Sequence, residues 1–502
     1  MSLLRSGTLE RPYDELAERA ARLAGGLAAL GARPGDRVAL VLHNEARFVE
    51  ASIGIGVAGC APVPINSRWT GREVAHVLAD SGSRIVVVHS DLVAVAEAAA
   101  PDATIVEVVP PDEVVEALAL DATAARATGR HVEYEALVAE GVPPAEPVTT
   151  APMSIIYTSG TTGTPKGVLR DATPPESAQA IAGLVLEGLA FAPGMRTLIP
   201  APLYHTAPNV HALFAVRMGC ELTVMAKFDP ERLLALVEAH RIEHIQMVPT
   251  MFTRLLALPE ATRARYDLSS LRSVVHAAAP CPVEVKRAMI DWWGPIVHEY
   301  YGGTEVGLVV VTDTAAWLEH PGTVGRPVAD GAVRIVGSDG RDLGPGETGE
   351  IFLRPPSFWP DFTYLNRPEQ RAAIGLDDFV SLGDAGHLDA DGYLHITDRI
   401  KDMIISGGVN VYPAEIEACL LGLDGVVDVA VFGIPDADWG EAIAAHLQLA
   451  PGAAVDEDAV RAHVRRELAG YKVPRVVVFE DLPRQDTGKL FKRRLAERYA
   501  GP

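Results

Sequence analysis

One stretch of the sequence decides how the rest of the chain is interpreted: Ser154-Ile-Ile-Tyr-Thr-Ser-Gly-Thr-Thr-Gly-Thr-Pro-Lys-Gly-Val168. Its first four residues, up to Tyr157, predict a short apolar strand. The glycines that follow free the backbone to turn its N–H groups inward, the hydroxyls add donors, and Lys166 supplies a mobile positive charge. This combination predicts a loop that holds phosphate groups. It differs from the Walker pattern, because the glycine spacing is different and Gly167 stands where Ser or Thr should follow the lysine.

The residues before this loop alternate between helix and strand patterns. Apolar residues recur at helical spacing over residues 12–30, and a strand-like run follows at 37–42. Helices are predicted at 46–57 and 70–81, and a strand at 85–89. This alternation is typical of a largely parallel sheet covered by helices.

The remainder of the chain divides into three parts. Residues 101–147 show no firm periodicity and are expected to form a surface excursion, whereas a second α/β series extends from about residue 154 to 312. Short strands with Gly-rich turns follow, and a compact unit of strands and helices begins near residue 394. We therefore predict an α/β fold with a large N-terminal domain (1–398) of helix-covered sheets plus a small β-barrel-like part. A small, mobile α+β C-terminal domain (399–502) completes it.

Composition narrows the class of protein. With 502 residues, 48% hydrophobic and 22% charged, the chain is expected to form several globular units. No window offers the ~20 apolar residues of a membrane span, and the N-terminus lacks a signal-peptide core, which predicts a cytoplasmic protein. The net charge of −22 argues against nucleic-acid binding. The four cysteines are far apart, which favours reduced thiols.

The residue order of the loop resembles the signature loop of the adenylate-forming superfamily, which contains acyl-CoA synthetases, luciferases and nonribosomal-peptide adenylation domains. Further motifs match in the order the family has them. They are Pro202-Leu-Tyr-His205, Tyr300-Tyr-Gly-Gly-Thr-Glu305, Leu382-Gly-Asp384, Asp398-Arg-Ile-Lys401, Ser406-Gly-Gly-Val-Asn-Val-Tyr-Pro413 and Asp486-Thr-Gly-Lys489.

The resemblance implies which residues bind ATP. It implies that the β- and γ-phosphates are bound by Thr158, Ser159, Gly160, Thr161, Thr162, Gly163 and Lys166. Glu305 is implied to bind Mg²⁺, and the hydroxyl of Thr304 to reach the α-phosphate. The resemblance further implies that adenine and ribose are bound by Ala278 and Ala279, in an adenine slot at 277–280, and by Tyr301, Gly302, Asp384 and Arg399.

The resemblance also implies two half-reactions. Lys489 bridges the α-phosphate and the acyl carboxylate while the adenylate forms. The small domain then swings about the hinge that contains Lys401, which brings Gly407 and Gly408 to the pantetheine tunnel of CoA. Trp439, together with Lys472 and Arg475, is expected to meet the nucleotide part of CoA.

The acid itself is expected to be medium- or long-chain, or bulky and hydrophobic. Gly302 stands where the acetate enzymes of the family have a Trp, which predicts a larger pocket. His205 is placed among the catalytic residues beside that pocket, and no acidic residue follows it as amino-acid-activating domains require. The expected lining is His205, Met247, Pro249, His276, Val306 and Val309. His240 and His244 are interpreted as surface histidines, because the residues between them do not form the H-E-x-x-H zinc motif.

Three functions remain open at this point. The leading one is an acid:CoA ligase that uses ATP, Mg²⁺, CoA and a small-molecule acid; a homodimer is compatible with it. The second is an acyl-AMP ligase that loads a carrier protein, although the insertion typical of such enzymes is not evident between residues 382 and 412; Val409, where many CoA ligases have an acidic residue, slightly weakens the assignment to thioester formation. The third is a non-catalytic nucleotide-binding relative.

Overall fold

The structure is a computed structural model, which describes residues 2–146, 153–159, 165–171, 175–406, 409–436, 438–484, 490 and 492–499. The first part of the chain contains β1 (Leu3–Ser6), β2 (Leu9–Pro12), α1 (Tyr13–Ala29), β3 (Arg37–Val41), α2 (Ala46–Val57), β4 (Ala61–Pro64), α3 (Gly71–Ser81), β5 (Ile85–His89), α4 (Val93–Ala99), β6 (Thr104–Val108), α5 (Asp112–Leu118), β7 (Val132–Glu133) and α6 (Tyr134–Glu140).

The second α/β series contains β8 (Ile156–Ser159), β9 (Pro165–Arg170), α7 (Ala178–Gly188), β10 (Arg196–Ile199), α8 (Thr206–Arg217), β11 (Glu221–Val224), α9 (Pro230–His240), β12 (His244–Met247), α10 (Pro249–Leu256), α11 (Glu260–Arg263), β13 (Ser273–His276), α12 (Val283–Trp293), β14 (Val297–Gly303), β15 (Gly307–Thr312), α13 (Thr314–Glu319) and β16 (Arg326–Pro327).

The last two parts are richer in strands. The barrel-like part contains β17 (Ala332–Val336), β18 (Gly349–Arg354), β19 (Phe362–Tyr364), α14 (Pro368–Ala372), β20 (Gly375–Leu376), β21 (Phe379–Leu388) and β22 (Leu394–Arg399). The C-terminal unit contains β23 (Ile404–Ser406), β24 (Val409–Val411), α15 (Pro413–Leu421), β25 (Val426–Asp436), β26 (Gly440–Leu449), α16 (Glu457–Glu467), β27 (Val476–Phe479) and α17 (Lys492–Ala496).

Local sequence explains the helices that position these sheets. Leu16, Leu23 and Leu27 of α1 lie on one face and are at most 1% exposed, because their spacing matches the helical repeat. Helix α3 begins at a capping box in which Thr70 and Glu73 satisfy each other's backbone N–H groups, and it ends at Gly82 in the left-handed conformation.

Two helix-covered sheets form the body of the N-terminal domain. One is parallel and runs in the order β4-β3-β5-β6-β7, and the other runs β16-β15-β14-β13-β12-β10-β11-β1-β2. The antiparallel strands β19-β9-β8 carry the phosphate-loop hairpin, and β17-β18-β21-β20, with β22 beside β21, form the barrel-like part. These sheets confirm the α/β fold with a large N-terminal and a small C-terminal domain. No helix in the described ranges is both long and apolar enough to cross a membrane.

The prediction that residues 101–147 form a surface excursion is wrong. Strand β6 pairs in parallel with β5, and β7 pairs with β6, so this segment extends the first sheet. Tyr134 is 1% exposed and donates a hydrogen bond to Glu50 Oε1 at 2.9 Å. The strand was hidden in the sequence because β6 is short and buried, and therefore lacks the alternation of a half-exposed strand.

The predicted start of the C-terminal unit also needs correction. Strand β22 pairs with β21 of the barrel-like part, with Asp384 opposite Arg399. The sheet of the C-terminal unit begins only at β23 and runs β24-β23-β26-β25, with β27 beside β26. Strand β26, which sequence reasoning missed, joins β23, β25 and β27.

Candidate active site

A continuous cavity of about 2050 Å³ extends along the carboxyl-terminal ends of β12, β13 and β14 and reaches the C-terminal unit. Strand ends of this kind are where open α/β sheets bind ligands. Thr158, Lys166, Thr304, Glu305 and Asp384 all line it, although they are up to 226 positions apart in the sequence (158 to 384). The fold therefore brings these five predicted site residues together.

The phosphate loop is a hairpin whose two strands are anchored on helix α3. Strands β8 and β9 pair with Thr158 opposite Lys166. The hydroxyl of Tyr157 donates to Asp80 Oδ2 at 2.9 Å. Gly167 has to be small, since a Cβ there would lie 2.8 Å from the ring of Tyr157. The structure does not describe residues 160–164 or the side chain of Ser159. The predicted phosphate contacts of Ser159, Gly160, Thr161, Thr162 and Gly163 therefore stay predictions.

Lys166 and Glu305 share a neighbour, Tyr364, which contacts both side chains. The ammonium of Lys166 is 5.0 Å from the centre of the Tyr364 ring, and the Tyr364 hydroxyl donates to Glu305 Oε1 at 3.0 Å. Burial lowers the pKa of Lys166, and the negative charge of Glu305 opposes that shift. Tyr364 was not predicted, because it lies in β19, far from every motif. Its pairing with Val168 of β9 places it there.

A buried arginine holds the turn that carries Thr304 and Glu305. Arg170 donates from Nη1 to the carbonyl oxygen of Glu305 at 3.0 Å, and from Nη2 to the carbonyl oxygen of Thr304. Burial lowers the pKa of Arg170 to about 10. The hydroxyls of Thr304 and Thr206 are 2.6 Å apart, at the start of α8. A helix N-terminus favours negative charge, so this wall suits a phosphate or a carboxylate.

His205 also lines the cavity, directly before α8, with its ring centre 4.7 Å from that of Tyr204. Its predicted catalytic role stays a prediction.

At the other end of the predicted nucleotide site, Asp384 is 4% exposed and fixed by two neighbours. Tyr301 donates its hydroxyl to Asp384 Oδ2 at 2.7 Å, and Arg399 Nε lies 2.7 Å from Oδ1. Burial, reinforced by the charge of Asp384, raises the pKa of Tyr301. A carboxylate held in this way can accept hydrogen bonds from ribose hydroxyls. Lys401 follows in an exposed turn at the edge of the cavity.

The predicted adenine slot, 277–280, follows strand β13 and lines the cavity. Ala278 has a φ of +75°, in the left-handed region that residues with a Cβ rarely adopt. Beneath the slot, Lys286 Nζ lies 2.7 Å from Glu299 Oε2, and Lys286 is fully buried. Burial raises the pKa of Glu299, while the charge of Lys286 opposes the rise. Sequence reasoning missed this pair because a Lys and a Glu 13 positions apart carry no motif.

The acyl side of the cavity differs from its expected lining. Met247, His276, Val306 and Val309 are at most 1% exposed and pack in the core, while His205 and Pro249 do line the cavity. Side chains alternate along a strand, so Gln246 and Val248 of this region face the cavity and Met247 faces the opposite layer. We name this region the acyl chamber; it is lined by Val185, Leu189, Val210, Gln246, Val248, Tyr300, Leu308 and Trp359.

Gly302 has a structural reason to be glycine. A Cβ on Gly302 would lie 1.9 Å from the carbonyl oxygen of Gly307, so this backbone admits no indole at that position. The indole of Trp359 instead lies over Gly307, where a Cβ would be 2.2 Å from its ring. Trp359 therefore forms this wall of the chamber.

The predicted CoA-binding residues of the C-terminal unit are paired within that unit. Lys472 Nζ lies 2.5 Å from Glu415, and Arg475 Nη1 lies 2.6 Å from Asp436. The guanidinium of Arg475 is 5.5 Å from the ring of Trp439, which is 46% exposed. Gly407, Gly408 and Lys489 lie outside the described residues, so their predicted roles stay predictions.

Comparison with known proteins agrees with this arrangement. Residues 9–360 match the family model of the AMP-binding enzymes, and residues 415–489 match that of the AMP-binding enzyme C-terminal domain. A feruloyl-CoA synthase from Amycolatopsis sp is 37% identical over 99% of this chain and 95% of its own length. The fatty acid–[acyl-carrier-protein] ligase ScoC from Streptomyces coeruleorubidus is 31% identical over 97% of this chain and 92% of its own.

A solved structure leads to the same family. ATP-bound MatB from Rhodopseudomonas palustris superimposes with a TM-score of 0.85 at 30% identity, covering 99% of this chain and 96% of the other. The chain therefore belongs to the AMP-binding enzyme family of acyl-CoA synthetases and ligases.

Proposed function

We propose that this enzyme is an ATP-dependent carboxylic acid:CoA ligase acting on a hydrophobic acid. The observation that carries the proposal is the continuity of the cavity, in which Asp384, Thr304 and Lys166 border a polar region that opens directly into the acyl chamber. A carboxylate on the chamber side would thus meet the α-phosphate of ATP beside Thr304. Apolar walls contribute about 0.8 kcal/mol for each methylene they bury, which favours longer or bulkier acids.

In the first half-reaction a carboxylate oxygen attacks the α-phosphorus, the bond from that phosphorus to the β-phosphate oxygen breaks, and pyrophosphate leaves. Two anions must approach each other, so fixed positive charge and oriented donors are needed. Lys166 and the N-terminus of α8 supply them here, and we assign Lys489 to the same step.

Glu305 fits the expected Mg²⁺ site. Its Oε1 accepts the Tyr364 hydroxyl, and a carboxylate has further lone pairs for a hard cation that prefers oxygen ligands. When bound, the ion would neutralise phosphate charge. Tyr364 holds the side chain of Glu305, and Arg170 holds its backbone carbonyl.

In the second half-reaction the CoA sulfur attacks the acyl carbon, AMP leaves with the oxygen that joined it to the acyl group, and the thiol proton is released. We propose that residues 1–398 and 399–502 act as the fixed and the moving domain. Asp398 supports this boundary, because it pairs within the barrel-like part through β22 while its Oδ2 accepts a hydrogen bond from the backbone N–H of Ala414 in α15 at 2.7 Å. Gly407, Gly408 and Trp439 would then meet CoA.

The relationship to ScoC favours one alternative, transfer of the acyl group to a carrier protein. Release of pyrophosphate and formation of thioester should be measured for a panel of hydrophobic acids, with and without CoA. The proposal predicts acid-dependent pyrophosphate and an acyl-CoA product. Acyl-adenylate that accumulates without giving acyl-CoA would support the carrier-protein alternative instead, and a panel without any pyrophosphate would contradict both.

A further inference from the structure

Arg170 carries a positive charge whose hydrogen-bond partners are neutral. Burial lowers its pKa to about 10, so the guanidinium is still charged at neutral pH. It donates to the carbonyl oxygens of Thr304 and Glu305, and within the described residues it forms no ion pair. The carboxylate of Glu305 acts on it only at longer range, and that carboxylate already accepts the Tyr364 hydroxyl. Charges inside proteins are normally paired, so Arg170 lacks an anionic partner.

The guanidinium of Arg170 is open to the cavity. The residue is only partly buried, and it lines the cavity together with Trp359, whose ring centre lies 5.6 Å from the guanidinium carbon. Its Nε forms no hydrogen bond in the described part of the chain, and it is not sealed from solvent. A guanidinium has five N–H donors, and the two carbonyl oxygens take one from each terminal nitrogen. Donors therefore remain for a group inside the cavity.

The position of Arg170 on strand β9 separates it from the phosphate loop. Lys166 and Arg170 lie on one face of this strand, four residues apart, which places their Cα atoms about 13 Å from each other. Lys166 is at the end next to the phosphate loop, whereas Arg170 is at the far end. Because Trp359 is a wall of the acyl chamber, the guanidinium lies where the chamber meets the turn that carries Thr304. This position suits an anion that enters from the chamber.

A carboxylate is the anion that the acyl chamber would deliver to this point. The planar fork of a guanidinium matches carboxylate geometry, and hydrogen bonds between two charged groups are stronger than those between neutral ones. A contact to one carboxylate oxygen leaves the other oxygen free to attack phosphorus. An arginine here can therefore hold the acid without blocking its reaction.

We propose that Arg170 binds the carboxylate of the acid at the mouth of the acyl chamber and orients it toward the α-phosphate of ATP. This inference rests on the proposed function, since it concerns the acid that the ligase activates. It gives Arg170 a contact with the substrate in addition to its hold on the turn at Thr304 and Glu305. The acyl-adenylate has no free carboxylate, so the ion pair belongs to the first half-reaction alone.

The test compares an accepted acid with its primary amide, which has the same body and no negative charge. The KM of the acid and the inhibition constant Ki of the amide are measured in pyrophosphate release at saturating ATP, for wild type, Arg170→Gln and Arg170→Lys. In the wild type the KM should lie about tenfold or more below the Ki, the scale of a hydrogen bond between charged groups.

Arg170→Gln keeps an N–H donor for the turn and removes the charge. It should raise the KM of the acid about tenfold or more, and the Ki of the amide by at most about threefold, because a neutral hydrogen bond contributes less. Arg170→Lys restores the charge without the fork and should recover part of the loss. Thioester formation from preformed acyl-adenylate should stay unchanged in Arg170→Gln, which also shows that this variant folds.

Arg326→Met is the matched control. Arg326 likewise donates to a backbone carbonyl, that of Asp391, and lies 4.2 Å from the ring centre of Tyr393, but it does not line the cavity. Its replacement should leave both the KM of the acid and the Ki of the amide unchanged.

Two results would show that Arg170 only holds the turn: equal weakening of acid and amide in Arg170→Gln, or a raised KM for ATP with an unchanged KM for the acid. Either one overturns the inference while the ligase function stands. Equal affinity of the wild type for acid and amide overturns it too, and that result needs no variant. If no acid on the panel releases pyrophosphate with the wild type, the proposed function fails and the inference fails with it.

Discussion

Replacing Asp384 with Asn removes one negative charge from the proposed ribose end of the site and keeps the shape of the side chain. Asp384 is 4% exposed and held by Tyr301 and Arg399 at 2.7 Å each, so the substituted asparagine would remain in place and offer one acceptor oxygen where the carboxylate offers two. The change therefore tests what the charge contributes to binding ATP.

The expected loss follows from these contacts. A hydrogen bond to a charged group contributes about 1.5–3 kcal/mol, so losing one between carboxylate and ribose should lower kcat/KM for ATP by about 10- to 150-fold. Arg399 adds little to this figure, because its side chain is 44% exposed and water weakens such an ion pair. Tyr301→Phe, which leaves the carboxylate charged, should cost less than tenfold.

Acid-dependent pyrophosphate release gives the measurement, with ATP and 2′-deoxyATP varied at saturating acid. The wild type should prefer ATP, and Asp384→Asn should lose most of that preference, since the two effects share one interaction. Thermal unfolding of each variant checks that the fold is intact. An Asp384→Asn enzyme with unchanged kcat/KM for ATP and an unchanged preference over 2′-deoxyATP would refute the assignment.

Three further predictions concern other parts of the molecule. Lys489→Ala should nearly abolish adenylation yet leave thioester formation from preformed acyl-adenylate largely intact, measured in separate half-reaction assays; equal losses in both would contradict its role. Lys286→Met should lower the free energy of unfolding by about 3–5 kcal/mol, because it leaves Glu299 buried without its partner, and adding Glu299→Gln should restore part of that loss in denaturant titrations. Burial lowers the pKa of His244 to about 4, so the unfolded chain binds a proton there that the folded one does not, and the free energy of unfolding should fall by up to about 3 kcal/mol as pH drops from about 6.5 to about 4. A His244→Gln variant should show a shallower fall, and an equally steep one would contradict this origin.

Much of the fold could be predicted because helical and strand periodicities survive in the sequence. Strand β5 and helix α2 have the predicted bounds. The segment at 101–147 was misjudged because its short strands depend on pairing with β5, a tertiary effect that local pattern does not record.

The candidate site was predictable where a motif carried it and not elsewhere. Lys166, Glu305 and Asp384 lie in motifs and do line the cavity. Arg170 and Tyr364, which position the motif residues, come from segments without any motif, and only the fold brings them there.

The direction of the side chains was the other feature that could not be predicted from the sequence. Strand β12 is covered by helices on both faces, so both its odd and its even residues are buried, and sequence alone did not tell which face Met247 and Gln246 take. The expected surface position of His244 is wrong for the same reason. It is fully buried, with Nδ1 2.9 Å from Thr197 and Nε2 2.7 Å from the carbonyl oxygen of Leu189.

The central claim is that the acid's own oxygen attacks the α-phosphorus of ATP, and isotope transfer tests it most directly. The enzyme is incubated with ATP, CoA and an accepted acid labelled with ¹⁸O in both carboxylate oxygens, and the nucleotide product is analysed by mass spectrometry. The expected products are AMP that carries one ¹⁸O atom in its phosphate and unlabelled pyrophosphate. ADP as the nucleotide product, or AMP without the label, would contradict it.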